Sequence, residues 1–279
     1  MLNINSKNKN TLFNLFFIFF ISILAYLNTS MSKPTKTDWH ENINSKIRII
    51  MPEVIDQNLY IGLEITLDDG TYTYWSNPGD SGIQPLVTLS SKSIRKYNVL
   101  WPVPEIIKDE YGTNYGYFGN NIIPIKISLA NTKDIVDLDL HYSLGVCNVI
   151  CIPIDGKIRI EMPDSYNYYK KKSSREIENA LQNIPVYRNN EINLISSANL
   201  KQIKDTEIII LEFLEPIEKI FPMTSKKFYL IDIEDTKDSY ISYSFSYSPK
   251  RRNDKINGES FSVIIFNDGE FFIEDFILD

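Results

Sequence analysis

Between Ile135 and Leu144 polar and apolar residues alternate, with Asp137, Asp139 and His141 set against Val136, Leu138 and Leu140. A period of two is the mark of a strand with one face in a core and one toward solvent. The run leads directly into Gly145-Val146-Cys147-Asn148-Val149-Ile150-Cys151-Ile152-Pro153, which holds both cysteines of the 279-residue chain. Cys147 is expected to end this strand and Cys151 to begin another that runs through Ile152 to Ile160, with Asn148 suited to the turn between them. Opposed residues of an antiparallel pair have Cα atoms about 4.5–5.5 Å apart, a separation that a disulfide spans. The pair is a disulfide in an oxidising compartment, a dithiol in a reducing one, or a couple that moves between the two. A bond closing so short a loop removes only about 2 kcal/mol of unfolded-chain entropy. That is a weak staple for a chain of this size, so the reading favours redox exchange over stapling.

The remaining pattern is also that of strands and turns. Ser45–Ile50, Leu59–Leu67, Thr71–Trp75 and Ile122–Leu129 are apolar and β-branched. Asp68-Asp69-Gly70 reads as a hairpin turn and Asn77-Pro78-Gly79-Asp80-Ser81-Gly82 as a loop. The fold class is therefore mainly β, with a sandwich in the first half. Ser173-Ser174-Arg175-Glu176 has capping-box spacing ahead of Ile177, Leu181 and Ile184, which predicts one short linking helix that Pro185 ends. Further strands follow at Glu207–Leu214, Lys227–Ile231, Tyr240–Ser248 and Ser260–Phe266, and Asn267-Asp268-Gly269 turns into another at Glu270. The expected division is 1–32 as a signal or anchor, 33–163 as a β-sandwich with the cysteine pair, 164–190 as a helical linker, and 191–279 as a second β-rich domain.

Lys7 and Lys9 precede an apolar run over residues 12–27, and Ser30-Met31-Ser32 supplies small residues after it. This is the layout of a secretory signal peptide, with an uncleaved N-terminal anchor as the alternative. Export makes an oxidised pair natural. The formal charge is -7, and removal of Lys7 and Lys9 with this segment leaves -9. An acidic balance of this kind argues against nucleic acid as a partner. The basic runs Lys170–Lys172 and Lys250–Arg252 read as solvated turns.

Other chemistries find little support. His141 lies about 20 Å along the strand from Cys147, which disfavours a Cys–His nucleophile. The two histidines, His40 and His141, have no paired spacing with the cysteines for zinc. Asp68/Asp69 and Asp137/Asp139 are accounted for by a turn and a solvent face, and no phosphate loop or dinucleotide fingerprint is present. No cofactor or metal is expected. Aromatic residues gather at Tyr72, Tyr74 and Trp75, at Trp101-Pro102-Val103-Pro104, and at Tyr115-Gly116-Tyr117-Phe118-Gly119. They belong either to the core or to a lid over the sulfurs.

Tyr74-Trp75 with Asn77–Gly82, then Trp101–Pro104, then Tyr117–Gly119, then Cys147–Pro153, resembles in order and spacing the periplasmic N-terminal domain of DsbD-type disulfide reductases, closest to the branch that includes ScsB. The resemblance covers about residues 45–160. It implies an immunoglobulin-like sandwich and a protein-disulfide reductase component, which takes electrons from a membrane relay of DsbD/CcdA type and passes them to periplasmic thioredoxin-like proteins. It also implies that Cys151 attacks the partner and Cys147 resolves. A loop covers the sulfur pair in that family, so Tyr74, Trp75, Pro78 and Gly79 are candidate substrate-binding residues. The chain departs from full-length DsbD in lacking a multi-span membrane domain and a Cys-x-x-Cys thioredoxin domain, so the relay would be a separate protein. Membrane contact would be through residues 12–27 alone. The alternative is a non-catalytic secreted β-sandwich adaptor with a structural disulfide.

Overall fold

The computed structural model describes residues 35–109, 112–130, 137–160, 175–188, 193–203, 206–223, 225, 227–233, 242–251, 255–256 and 258–278. The apolar run at 12–27, the serines of the expected capping box and the run Lys170–Lys172 lie outside them. The first half contains β1 (His40–Asn42), β2 (Ser45–Ile55), β3 (Asn58–Leu67), β4 (Tyr72–Gly79), β5 (Leu86–Ser90), β6 (Ile94–Val99), β7 (Glu105–Asp109), β8 (Gly112–Phe118), β9 (Asn120–Leu129), β10 (Leu138–Cys147) and β11 (Cys151–Ile160). One helix, α1 (Glu176–Leu181), follows. The second half contains β12 (Val186–Tyr187), β13 (Ile195–Ile203), β14 (Thr206–Phe213), β15 (Lys219–Pro222), β16 (Phe228–Ile233), β17 (Ser242–Pro249), β18 (Ser260–Asn267) and β19 (Glu270–Ile277).

Two sheets make the first sandwich. One has the order β1-β2-β3-β9-β6; the other has β11-β10-β4-β8-β7, with β5 also on β10. Alternation decides their inner faces. Leu138, Leu140, Tyr142, Leu144 and Val146 of β10 enter one core with Ile47, Ile49, Ile61, Leu63 and Ile65 of β2 and β3, and with Ile123 and Ile125 of β9. Full burial of one such side chain contributes about 1.5–3 kcal/mol, so this inner layer sets the register. The second half repeats the plan with β13-β14-β17-β16 and β12-β19-β18-β15 around a separate core that includes Leu211, Phe228, Phe245 and Phe261. The fold is thus nearly all β, as the strand pattern implied.

Several local expectations need correction. Asp68-Asp69-Gly70 does turn, with the Thr71 amide donating to the Asp68 carbonyl at 3.0 Å. It is not a hairpin, because β3 and β4 lie in different sheets and the turn carries the chain across the sandwich. Asn267-Asp268-Gly269 is a true hairpin: Asn267 pairs with Glu270, and Asp268 and Gly269 both have positive φ, 53° and 79°. That is the type I′ geometry that matches strand twist. Asn77, Pro78 and Gly79 are the buried end of β4 instead of a loop, and the aromatic cluster at Tyr115–Phe118 lies on β8. The serines expected to cap α1 lie outside the described residues. Arg175 precedes it in left-handed conformation without a side-chain cap, and Glu176 pairs with Lys36 at 2.6 Å. The helix docks on the outside of the first sheet, where Ile177 packs with Ile50 and Tyr60.

Candidate functional site

The cysteine hairpin forms as its sequence dictates. Strands β10 and β11 pair from Leu138–Ile160 to Cys147–Cys151 without a break in register. The Asn148 amide donates to the Ile150 carbonyl across the short connection. Cys147 and Cys151 are disulfide-bonded, with Cα atoms 4.0 Å apart. The two ends of the bond differ sharply. Cys147 is 0 % exposed, whereas Cys151 is exposed. Between them, Val149 is 94 % and Ile150 69 % exposed.

The burial of Cys147 needs a reason. It lies on the face of β10 that carries Asp139 and His141, the solvent face by alternation. The reason is how the neighbouring edge of β10 is shared. At the cysteine end β4 pairs with it, Tyr72 opposite Cys147 and Thr73 opposite Val146. At the other end β5 takes over, from Ser143–Leu86 to Asp139–Ser90. Between these contacts the chain leaves the edge and folds over the outer face. Gly145, two residues before Cys147, makes room for it. A Cβ there would fall 3.0 Å from Ile83 Cβ and 3.1 Å from Tyr74 Cδ2. Gly82 lies against the same ring, since a Cβ on it would meet Tyr74 Cδ1 at 2.8 Å and Pro78 Cβ at 2.5 Å. The Tyr74 hydroxyl reaches 3.2 Å from Cys151 Sγ, and its ring meets Tyr72 edge-on at 5.5 Å. Residues 78–83 and Tyr74 therefore form a cap beside the sulfur pair.

The candidate residues fall in three places. Tyr74 touches Cys151. Trp75, one residue on, points the other way: it is 1 % exposed and lies in the sandwich core against Tyr115, with ring centroids 6.2 Å apart. Pro78 and Gly79 are buried at the base of the cap. Gly79 has φ 88°, and a Cβ would strike the Thr113 carbonyl at 2.3 Å, so glycine is what lets β4 approach β8. His141 is exposed on β10. Ile83 and Gly145 were not singled out from sequence; the only signal was a glycine inside a strand, which marks close approach by another group. Among the described residues, no group of three or more His, Cys, Asp or Glu side chains is placed to hold a metal ion. Among them, too, no helix is long and apolar enough to cross a membrane.

A sandwich carrying a half-exposed disulfide at a hairpin mouth has the arrangement that thiol–disulfide exchange requires. Residues 46–163 match the family described as "Thiol:disulfide interchange protein DsbD, N-terminal", and this part of the chain is a DsbD-type N-terminal domain. The whole fold is similar to the crystal structure of the N-terminal periplasmic domain of ScsB from Proteus mirabilis. That match has a TM-score of 0.65 at 19 % identity and covers 88 % of this chain and 98 % of that one. A structure of the Neisseria meningitidis DsbD N-terminal domain in the reduced form also matches, at 15 % identity with a TM-score of 0.29, over 43 % of this chain and 87 % of that one. No curated protein sequence matches the chain.

Proposed function

We propose that this protein is an exported disulfide-reductase component whose Cys147–Cys151 pair takes two electrons from a separate membrane relay of DsbD/CcdA type and delivers them to thioredoxin-like proteins of the periplasm. The observation that carries the reading is the asymmetry of the bond: Cys151 is exposed and Cys147 is buried. In the loading step a relay thiolate attacks Cys151 Sγ, the Cys147–Cys151 bond breaks, and Cys147 leaves as the thiolate and takes up a proton. A second relay thiolate then frees Cys151, and the relay departs oxidised. In the delivery step the Cys151 thiolate attacks the partner's disulfide, whose second sulfur leaves as a thiolate. Cys147 then loses its proton and attacks Cys151 Sγ, which releases the partner as a dithiol and restores the bond. The shielded sulfur is suited to resolving because it cannot itself be reached by a second partner. The exposed Val149 and Ile150 provide an apolar rim beside the reacting sulfur.

The reading assigns the chemistry to residues 33–163 and leaves 164–190 and 191–279 as attached structure, with residues 12–27 as export signal or anchor. The test is trapping in periplasmic extract. Cys147→Ser should accumulate mixed disulfides through Cys151, because the resolving thiol is gone, and Cys151→Ala should trap nothing. Equal trapping by both would overturn the assignment of roles. Trapping by neither would favour a non-catalytic adaptor with a structural bond.

A further inference from the structure

The second half of the chain reaches the cap from behind. Asn77 is 0 % exposed at the base of the cap, and its side-chain amide donates to two carbonyls of the second half, Pro222 at 2.6 Å and Leu230 at 2.9 Å. Its Oδ1 accepts from the Gly79 amide at 3.3 Å. Tyr229, one residue before Leu230, donates its hydroxyl to Gln84 Oε1 at 2.5 Å, and Gln84 Nε2 reaches the Ser76 carbonyl at 3.5 Å. Residues 77 and 84 bracket the cap, so both of its ends are fastened to the β15–β16 region. Phe221 and Ile264 of the second half enter the first core, and Phe221 meets Tyr115 edge-on.

We infer that the second half is a clamp on the cap, with Asn77 as its buried anchor and the Tyr229–Gln84 hydrogen bond as its outer latch, and that it sets how readily a thiol reaches the Cys147–Cys151 bond. This rests on the exchange reading above and assigns it a control element. The logic is geometric. A hydroxyl 3.2 Å from Cys151 Sγ occupies part of the space through which an attacking sulfur approaches. Tyr74 can leave that space only if the segment lying on its ring shifts, and both ends of that segment are tied. Tyr229 and Gln84 touch neither sulfur, so they are positioning residues that act through Tyr74.

The experiment uses the full chain, oxidised, with glutathione as the probe. Two glutathione thiols reduce one protein disulfide and depart as oxidised glutathione, so the rate is read by alkylation of the freed cysteines. Tyr229→Phe removes the latch donor on a partly exposed side chain, and Gln84→Ala removes its acceptor. Each should raise the reduction rate about fivefold, the population change that loss of one hydrogen bond produces, with the Tm lowered by only about 2–4 °C. The double variant should be no faster than Gln84→Ala alone, because Tyr229→Phe then has no bond left to remove. A wild-type rate in both single variants overturns the clamp, as does full additivity in the double. Glutathione reports access to the sulfurs whether or not a protein partner exists. Failure here therefore removes the clamp alone, and failure of the trapping experiment removes the exchange reading alone.

Discussion

Strand β4 shows two environments one residue apart. On its inner face Trp75 is sealed into the sandwich core; on its outer face Tyr74 lies under a cap with its hydroxyl on Cys151 Sγ. Both rings are almost wholly buried, so burial alone does not separate them. What separates them is what they are buried by. Trp75 is covered by two facing sheets fixed through many strand pairs, and Tyr74 by one excursion of chain tied at its ends. The inner face holds the fold, and in the clamp proposed above the outer face is the part that opens without unfolding the sandwich.

The largest test of this contrast is Trp75→Ala. A large-to-small change in a packed core costs about 3–5 kcal/mol, so the unfolding midpoint should drop steeply. The glutathione reduction rate, measured on protein still folded, should stay at the wild-type value; an accelerated rate would bring Trp75 back to the sulfur site. Next in size is reduction of the disulfide itself. The loop closed by the bond is short, and its loss should lower stability by about 2 kcal/mol while unfolding stays cooperative in a denaturant titration. Loss of the cooperative transition would make the outer face structural. Smaller again is Tyr74→Phe, which keeps the ring and removes the hydroxyl. A net hydrogen bond contributes about 1 kcal/mol, and because the bond is to sulfur its loss should appear in the chemistry. The pH profile of Cys151 alkylation in the reduced protein should move to higher pH, since the thiolate has lost a donor. An unchanged pH profile of alkylation would reduce the hydroxyl–sulfur contact to packing.

The smallest effect lies on the opposite sheet, away from both faces of β4. Burial pushes the Glu64 carboxyl up, but hydrogen bonds from Arg48 and Lys36, together with their charges, outweigh it and hold the group below its ordinary range. A carboxylate depressed on folding stabilises the folded form above its unfolded pKa, and that contribution fades as pH falls through the lower, folded value. The Tm should therefore decline on acidification below the ordinary carboxylate range, and Glu64→Gln should flatten that decline. The same titration should leave the neutral-pH reduction rate untouched.

The cysteine hairpin was legible because everything that forms it is local. The alternation of β10, the turn residue Asn148 and the start of β11 at Cys151 are contiguous in sequence, and strand pairing follows from them. Asp268-Gly269 was legible for the same reason. Asp68-Asp69-Gly70 misled because turn chemistry reports that the chain reverses, not which sheet it enters next. The β2–β3 hairpin went unread because its turn, Asp56-Gln57, reaches positive φ without a glycine. Part of the cap was visible as a loop rich in Gly and Pro, yet its true base was not. Asn77 looked like a loop residue and is a buried donor whose acceptors, at Pro222 and Leu230, lie in the other half of the chain. Burial of Cys147 could not be read at all, since strand alternation assigns it to solvent and only the excursion from β10 overrides this.

That excursion has a consequence for engineering and for divergence. Because β4 and β5 pair with separate stretches of β10, each has its own register, and the span between them transmits no slip from one to the other. Side chains between Asp80 and Gln84 can be exchanged while the sheet on either side keeps its pairing. On the exchange reading proposed above, the sandwich thus offers a graft point beside the disulfide, where a change of side chains would alter which thiols reach the sulfurs on an unaltered frame.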